Sequence, residues 1–140
     1  MSRFRVHPQL LQDCHQLGRM AACHALLHRN AVLPWFILIP ETDEIDLLDL
    51  DPALRNRVMD EATAISRFVK DELQCPKVNV AAIGNLVPQL HLHVIGRHPG
   101  DACWPLPVWG HLQESDTYSE PRLEEIGSLL EGSWGLQRSA

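Results

Sequence analysis

The run Gln89-Leu90-His91-Leu92-His93-Val94-Ile95 concentrates the chemistry of this chain. Polar and apolar side chains alternate through it, the period of an extended strand whose successive side chains point to opposite faces. Leu90, Leu92 and Val94 are predicted to enter a core. Gln89, His91 and His93 are predicted to form a polar row on the other face, ~7 Å from one to the next. Two imidazoles so placed suit nucleophilic or acid–base work, because an unperturbed His titrates at about 6.5. The same spacing suits a metal, since His-x-His on a strand is a common ligand pair. A third ligand would have to come from elsewhere, as no Asp, Glu or Cys lies close in sequence. The plain alternative is a solvated sheet face carrying two unrelated His. Against it, residues 78–96 contain no Asp, Glu, Lys or Arg, so the row lies in a segment that reads as buried. That stretch is long enough for a membrane span, but Asn79, Asn85, Pro88, Gln89, His91 and His93 are costly in lipid, and no span is predicted.

Other elements must hold such a row in place. Residues 7–17 read as a short helix, with Pro8 in its first turn and Leu10, Leu11, Cys14 and Leu17 on one face, ended by Gly18. Residues 21–29 and 34–39 read as strands about the turn-like Asn30-Ala31, the second an apolar run closed by Pro40. Asp51 and Pro52 open a long helix as N-cap and first residue. Leu54, Val58, Ala62, Ile65, Val69 and Leu73 follow at three- and four-residue steps as one buried stripe, with Arg55, Asp60, Glu61, Lys70 and Asp71 on a solvated face. Cys75-Pro76 stops that helix. Strands are predicted at 78–83 and 89–97, about a Gly84-Asn85 turn. Helices separated by strand pairs predict an α+β fold with a mostly antiparallel sheet of about five strands, a long helix and a short N-terminal helix. Residues 119–130 read as a last helix with Leu123, Ile126 and Leu130 in phase, and the tail from Glu131 is expected to fray. The expected division is a domain over 1–110 that carries the polar row and a helical extension over 111–140 packed on it.

With these elements around it, the run resembles the signature of the histidine triad (HIT) family, His-φ-His-φ-His-φ-φ with φ apolar, Gln89 standing for the first His. Asn79 on the preceding strand, Gly84-Asn85 before the motif, and an apolar strand ending in Ile39-Pro40 are similar to the family's other landmarks, in the same order, from about residue 23 to residue 110. The segment Trp104-Pro105-Leu106-Pro107-Val108-Trp109-Gly110 is similar to a bacterial branch of HIT hydrolases. The resemblance implies a HIT-like fold and a nucleotide substrate, with reaction at the α-phosphate of a nucleoside phosphoramidate, phosphoester or dinucleoside polyphosphate. It implies that His91 is the nucleophile and forms a nucleotidyl-His intermediate, one ring nitrogen being held as N–H by a backbone carbonyl of the motif. His93, Gln89, Asn85 and Asn79 are then expected around the phosphate. Gln89 cannot titrate, so His93 is expected to take more of the proton traffic. Family members set an acidic residue against the ribose; Asn30 stands there, with Leu26 and His28 alternating with it as walls for the base, unless all three are ordinary hairpin packing. The resemblance also implies a two-fold homodimer and no required cofactor or protein metal site; a divalent ion would come only with the substrate phosphates.

Composition narrows the partners. One domain is expected from 140 residues. With 12 basic and 18 acidic residues the net charge is −6, which denies the chain the phosphate-neutralising surface of a non-specific nucleic-acid binder. Eight His make that charge sensitive to mild acid. The N-terminal residues carry no apolar run with a small-residue cleavage site. Cys14, Cys23, Cys75 and Cys103 form no CxxC, so a zinc ribbon is excluded and reduced thiols in the cytoplasm are expected. No nucleic-acid or membrane partner is expected. Trp104 and Trp109 either cover the nucleotide pocket, lie on a dimer seam or anchor the Pro-rich segment, and His7, His15, His24, His98 and His111 read as incidental. Three functions remain: a HIT-type nucleotide hydrolase, a nucleotide-binding regulatory or scaffold protein with little turnover, and a structural dimerisation domain. Gln89 and Asn30, the two departures from the family pattern, give the second its weight.

Overall fold

The computed structural model describes residues 3–139. In chain order it contains helix α1 (Pro8–Asp13), strands β1 (Cys14–Arg19), β2 (Cys23–His28) and β3 (Trp35–Pro40), a short 3-10 turn (Leu47–Asp49) and helix α2 (Pro52–Asp71). Strands β4 (Lys77–Ala81) and β5 (Leu92–Arg97), helix α3 (Glu120–Ser133) and strand β6 (Gln137–Arg138) complete it. The strands form one sheet in the order β4-β5-β3-β2-β1-β6, and every pairing is antiparallel. The architecture is α+β, with six strands rather than about five.

Two differences from the sequence reading arise at the ends of the chain. The predicted helix over 7–17 stops at Asp13, and Cys14 is already extended. Residues 14–19 become β1 because β2 presents an open ladder there, from Cys14 opposite His28 to Arg19 opposite His24. A six-residue helix is marginal without packing, so pairing decides. The tail expected to fray instead carries α3 to Ser133 and then pairs as β6 with β1. Gly18 permits this, since a Cβ there would lie 1.9 Å from the Gln137 carbonyl oxygen.

The sheet buries both faces. On one face Ala25, Leu27, Phe36, Leu38, Leu92 and Val94 meet α2 and α3 through Val58, Ile65, Phe68, Ile126 and Leu130. The predicted stripe of α2 supplies this layer, and Asp51 caps the helix by accepting from the Leu54 N–H at 3.1 Å. Glu61, predicted on the solvated face, is buried instead. Its two carboxylate oxygens accept from the N–H groups of Ala22 and Cys23 at 2.8 and 2.9 Å, filling donors at the start of β2 that would otherwise be orphaned. The other face carries Leu26, Trp35, Ile37, Ile39 and Ile95, covered by α1 and by residues Cys103 and Val108 of the segment after β5. This second face holds the site. Among the described residues no helix is long and apolar enough to cross a membrane.

Candidate active site

The loop from β4 to β5 brings the site onto the sheet. Gly84 turns it with a φ of 65°, a left-handed conformation that disfavours side chains with a Cβ. The strand begins only at Leu92, so Gln89, Leu90 and His91 precede it and strict alternation does not extend back to Gln89.

His91 is 6% exposed. Its Nδ1 lies 2.7 Å from the backbone oxygen of Gln89. A carbonyl can only accept, so Nδ1 carries the proton and Nε2 presents its lone pair. No hydrogen bond among the described residues occupies that nitrogen. A neutral imidazole fixed in this tautomer is a nucleophile aimed by its own motif.

His93 stands edge-on to His91 at 4.9 Å between ring centroids, in the opposite tautomer. The Trp35 indole N–H donates to His93 Nδ1 at 2.9 Å. Indole has no acceptor, so Nδ1 must be unprotonated and the proton of the neutral ring sits on Nε2. Burial, reinforced by His91 and His28 nearby, pushes the His93 pKa down to about 3. His93 is therefore a fixed neutral N–H donor through the whole pH range in which His usually titrates. The expectation that it carries protons meets a direct obstacle in this geometry.

The other predicted residues divide. His28 stacks on Trp35 at 4.3 Å, and burial lowers its pKa as well. His28 and Asn85 line a cavity of about 490 Å³ together with His91 and His93. Asn85 is exposed, and its amide makes no hydrogen bond among the described residues. Gln89, Asn79, Asn30 and Leu26 are not in that lining. The Gln89 amide accepts from the His7 N–H and donates to the Arg5 carbonyl, both at 2.8 Å, so it ties the N-terminal segment to the loop. The Asn79 oxygen accepts from Arg97 at 2.9 Å, joining a buried Arg97–Asp101 ion pair that anchors the segment after β5. The Asn30 oxygen accepts from the Val32 and Asp116 N–H groups while its NH₂ donates to the Glu114 carbonyl, which ties both ends of the amide to the backbone. Leu26 is buried in the same core layer as Ile37, its Cα opposite that of Ile37.

Two residues of the cavity, Trp35 and Asp13, escaped the sequence reading, whereas Trp109 was one of two tryptophans that it offered as a cover. Trp35 read as the start of an apolar strand; the signal was its N–H, which demands an acceptor when buried. Trp109 reaches over the site, edge-on to His93 at 5.0 Å and to Trp35 at 5.9 Å, whereas Trp104 lies under Arg97. Asp13 sits on the rim, its carboxylate accepting from Gln9 at 3.0 Å. Among the described residues no group of three His, Cys, Asp or Glu could hold a metal ion.

The depressed pKa of His93 predicts a stability slope. The unfolded chain takes a proton on this residue as pH falls through about 6.5, but the folded chain does not until about 3. Stability is thus complete above 6.5 and lost as pH falls from there toward 3. Urea unfolding should show a loss of about 2 kcal/mol from His93 between pH 7 and pH 5. His93→Phe should flatten that slope, and an unchanged slope in the variant would refute the assignment.

Comparison with known proteins shows the family and the fold. The HIT domain family matches residues 10–100. A histidine triad protein from Bradyrhizobium japonicum is 34% identical, with a TM-score of 0.86 over 93% of this chain and 97% of that one. One from Marinobacter aquaeolei is 37% identical, with a TM-score of 0.84 over 91% and 93%. One from Sinorhizobium meliloti is 29% identical, with a TM-score of 0.86 over 92% and 96%. No curated protein matches the chain.

Proposed function

The chain belongs to the histidine triad family, and from that premise we propose that it is a nucleotide hydrolase or nucleotidyl transferase acting at an α-phosphate through His91. The family in general comprises nucleotide-binding hydrolases and transferases. The observation that carries the reading for this chain is the His91 ring, with Nδ1 held by the Gln89 carbonyl and Nε2 free at an aromatic cavity.

In the first step the Nε2 lone pair forms a bond to phosphorus, and the bond from phosphorus to the leaving group breaks with its electron pair going to the leaving atom. The Gln89 carbonyl stabilises the positive charge that the ring then carries at Nδ1–H. In the second step water bonds to phosphorus, the N–P bond returns its pair to Nε2, and the proton of the water passes to solvent. His93 Nε2–H donates to a non-bridging oxygen, where negative charge builds. The Asn85 amide is a second donor within the same loop. The nucleoside lies among His28, Trp35 and Trp109. Asp13, rather than the engaged Asn30, accepts from the ribose hydroxyls. Gln89 positions the loop rather than moving a proton. No resident cofactor enters these steps, and any divalent ion comes with the substrate.

The test is turnover of a nucleoside phosphoramidate or a dinucleoside polyphosphate. Release of the nucleoside monophosphate is expected. Intact bound nucleotide with no product would favour the regulatory reading, to which the non-titrating Gln89 gives its support. Two copies are proposed to pair across the open β4 edge, where Val80 and Ile83 are exposed. Light scattering should report twice the chain mass, and a 15.8 kDa particle at micromolar concentration would refute the dimer. The same reading sets the protein in the cytoplasm, where its four buried free thiols stay reduced.

A further inference from the structure

Gln89 cannot titrate, yet its side chain is fixed at both ends. Its Oε1 accepts from the His7 N–H and its Nε2 donates to the Arg5 carbonyl, both at 2.8 Å. In an extended chain the C=O of one residue and the N–H of the residue two further on leave the same side. A primary amide carries a C=O and an N–H side by side, so it completes both as the peptide group of a neighbouring strand would. The segment it meets is itself held. Phe4 stacks on His24 at 5.3 Å between ring centroids, and Phe4 and Val6 pack against the apolar layer on the site's face of the sheet. His7 Nδ1 accepts from the Gln9 N–H at 3.0 Å and so caps α1. Among the described residues, the two bonds of the Gln89 amide are the only hydrogen bonds that tie residues 82–91 to the rest of the chain. The main chain of the same residue faces the other way: its carbonyl accepts from His91 Nδ1 at 2.7 Å. Rotation of that peptide would take the acceptor from Nδ1, and the ring could then carry its proton on Nε2.

We propose that residues 4–7 are a positioning element of the site. Acting through the Gln89 amide, they hold the Gln89 carbonyl on His91 Nδ1 and so keep Nε2 unprotonated. The consequence for catalysis rests on His91 acting as the nucleophile; the positioning of the ring does not. The tether gives the departure at Gln89 a use. It must donate to one backbone group and accept from another at every pH, which an amide does and a titrating imidazole does not.

Nitrogen NMR of the ligand-free full-length protein in mildly alkaline solution reads the His91 proton directly, because a protonated ring nitrogen and a bare one resonate far apart. The wild type should show one form, with the proton on Nδ1. Gln89→Leu removes both bonds. Its His91 signals should move to the average of the two tautomers, and kcat for a nucleoside phosphoramidate should fall about 10- to 100-fold with KM little changed. His7→Pro removes the N–H at a residue whose φ of −55° suits proline, and should move the signals in the same direction. His7→Ala loses the side-chain cap but keeps that N–H, and should give the wild-type spectrum. Circular dichroism will report whether each variant keeps the fold, and the two His7 variants decide the question if Gln89→Leu does not fold. An unmoved His91 tautomer in folded Gln89→Leu, or equal spectra for His7→Pro and His7→Ala, would overturn the positioning role and leave His91 as nucleophile standing. The expected shifts in a protein that turns over no phosphoramidate would uphold the positioning role and remove the nucleophile. A wild-type His91 with its proton on Nε2 would overturn both.

Discussion

His91→Ala should cost turnover on the order of 10⁴-fold or more while nucleotide still binds, because the substitution removes the group proposed to form the bond to phosphorus. The cavity proposed to hold the nucleoside is built largely by other residues, His28, Trp35, Ile37 and Trp109 among them, and these are expected to keep their packing without the imidazole. The loss should therefore fall on kcat. Calorimetric titration with a nucleoside monophosphate should give nearly the wild-type affinity, and single-turnover rates should show the deficit. His93 cannot substitute, since its Nδ1 faces the Trp35 N–H and its Nε2 holds the proton. Wild-type turnover in His91→Ala would remove this residue from the mechanism.

His93→Phe should lower kcat by about 10²–10³-fold, the usual cost of losing one donor to a developing oxyanion. Phe keeps an aromatic ring, slightly larger than imidazole, to meet His91 and Trp109 edge-on. It leaves the buried Trp35 N–H without its acceptor, at a cost of about 1–3 kcal/mol in stability. Trp35→Phe in the same chain should return part of that stability without returning activity, which separates the fold from the chemistry. The shape of the pH–rate profile distinguishes two roles for His93. A fixed neutral donor lowers the plateau and leaves the acid limb where it was. A proton carrier, as the motif alone suggests, would take a limb of the profile with it. The first outcome is expected, because burial and the Trp35 hydrogen bond both oppose protonation of His93.

His91 and His93 were legible from sequence because both face one way, and two-residue periodicity carries that information. Gln89 was not, because the chain bends before β5 and its side chain turns to the backbone of Arg5 and His7. Asn30 and Asn79 were the right types to bind something polar, but their partners lie at Glu114, Asp116 and Arg97, contacts that only the folded chain creates. Long-range partners also explain β1 and β6. Leu10, Leu11, Cys14 and Leu17 carry helical spacing, yet Cys14 and Leu17 join opposite layers once β1 pairs with β2 around the irregularity at Gln16 and Gly18. Strand β6, only two residues long, exists through its pairing with β1. Helix α2 was announced by its cap and stripe, which are local, although it ends at Asp71, short of Leu73, and the buried Phe68 lay outside the stripe. Glu61 on it was misplaced, and its reason is again distant, at the N–H groups of Ala22 and Cys23.

The covalent bond proposed between His91 and phosphorus is tested most directly by the stereochemical course of hydrolysis. A nucleoside phosphoramidate made chiral at phosphorus with one sulfur is hydrolysed in isotopically labelled water, and the configuration of the product is read. Attack by His91 inverts phosphorus once and attack of water on the intermediate inverts it again, so net retention is expected. Net inversion would mean a single displacement by water and would contradict it.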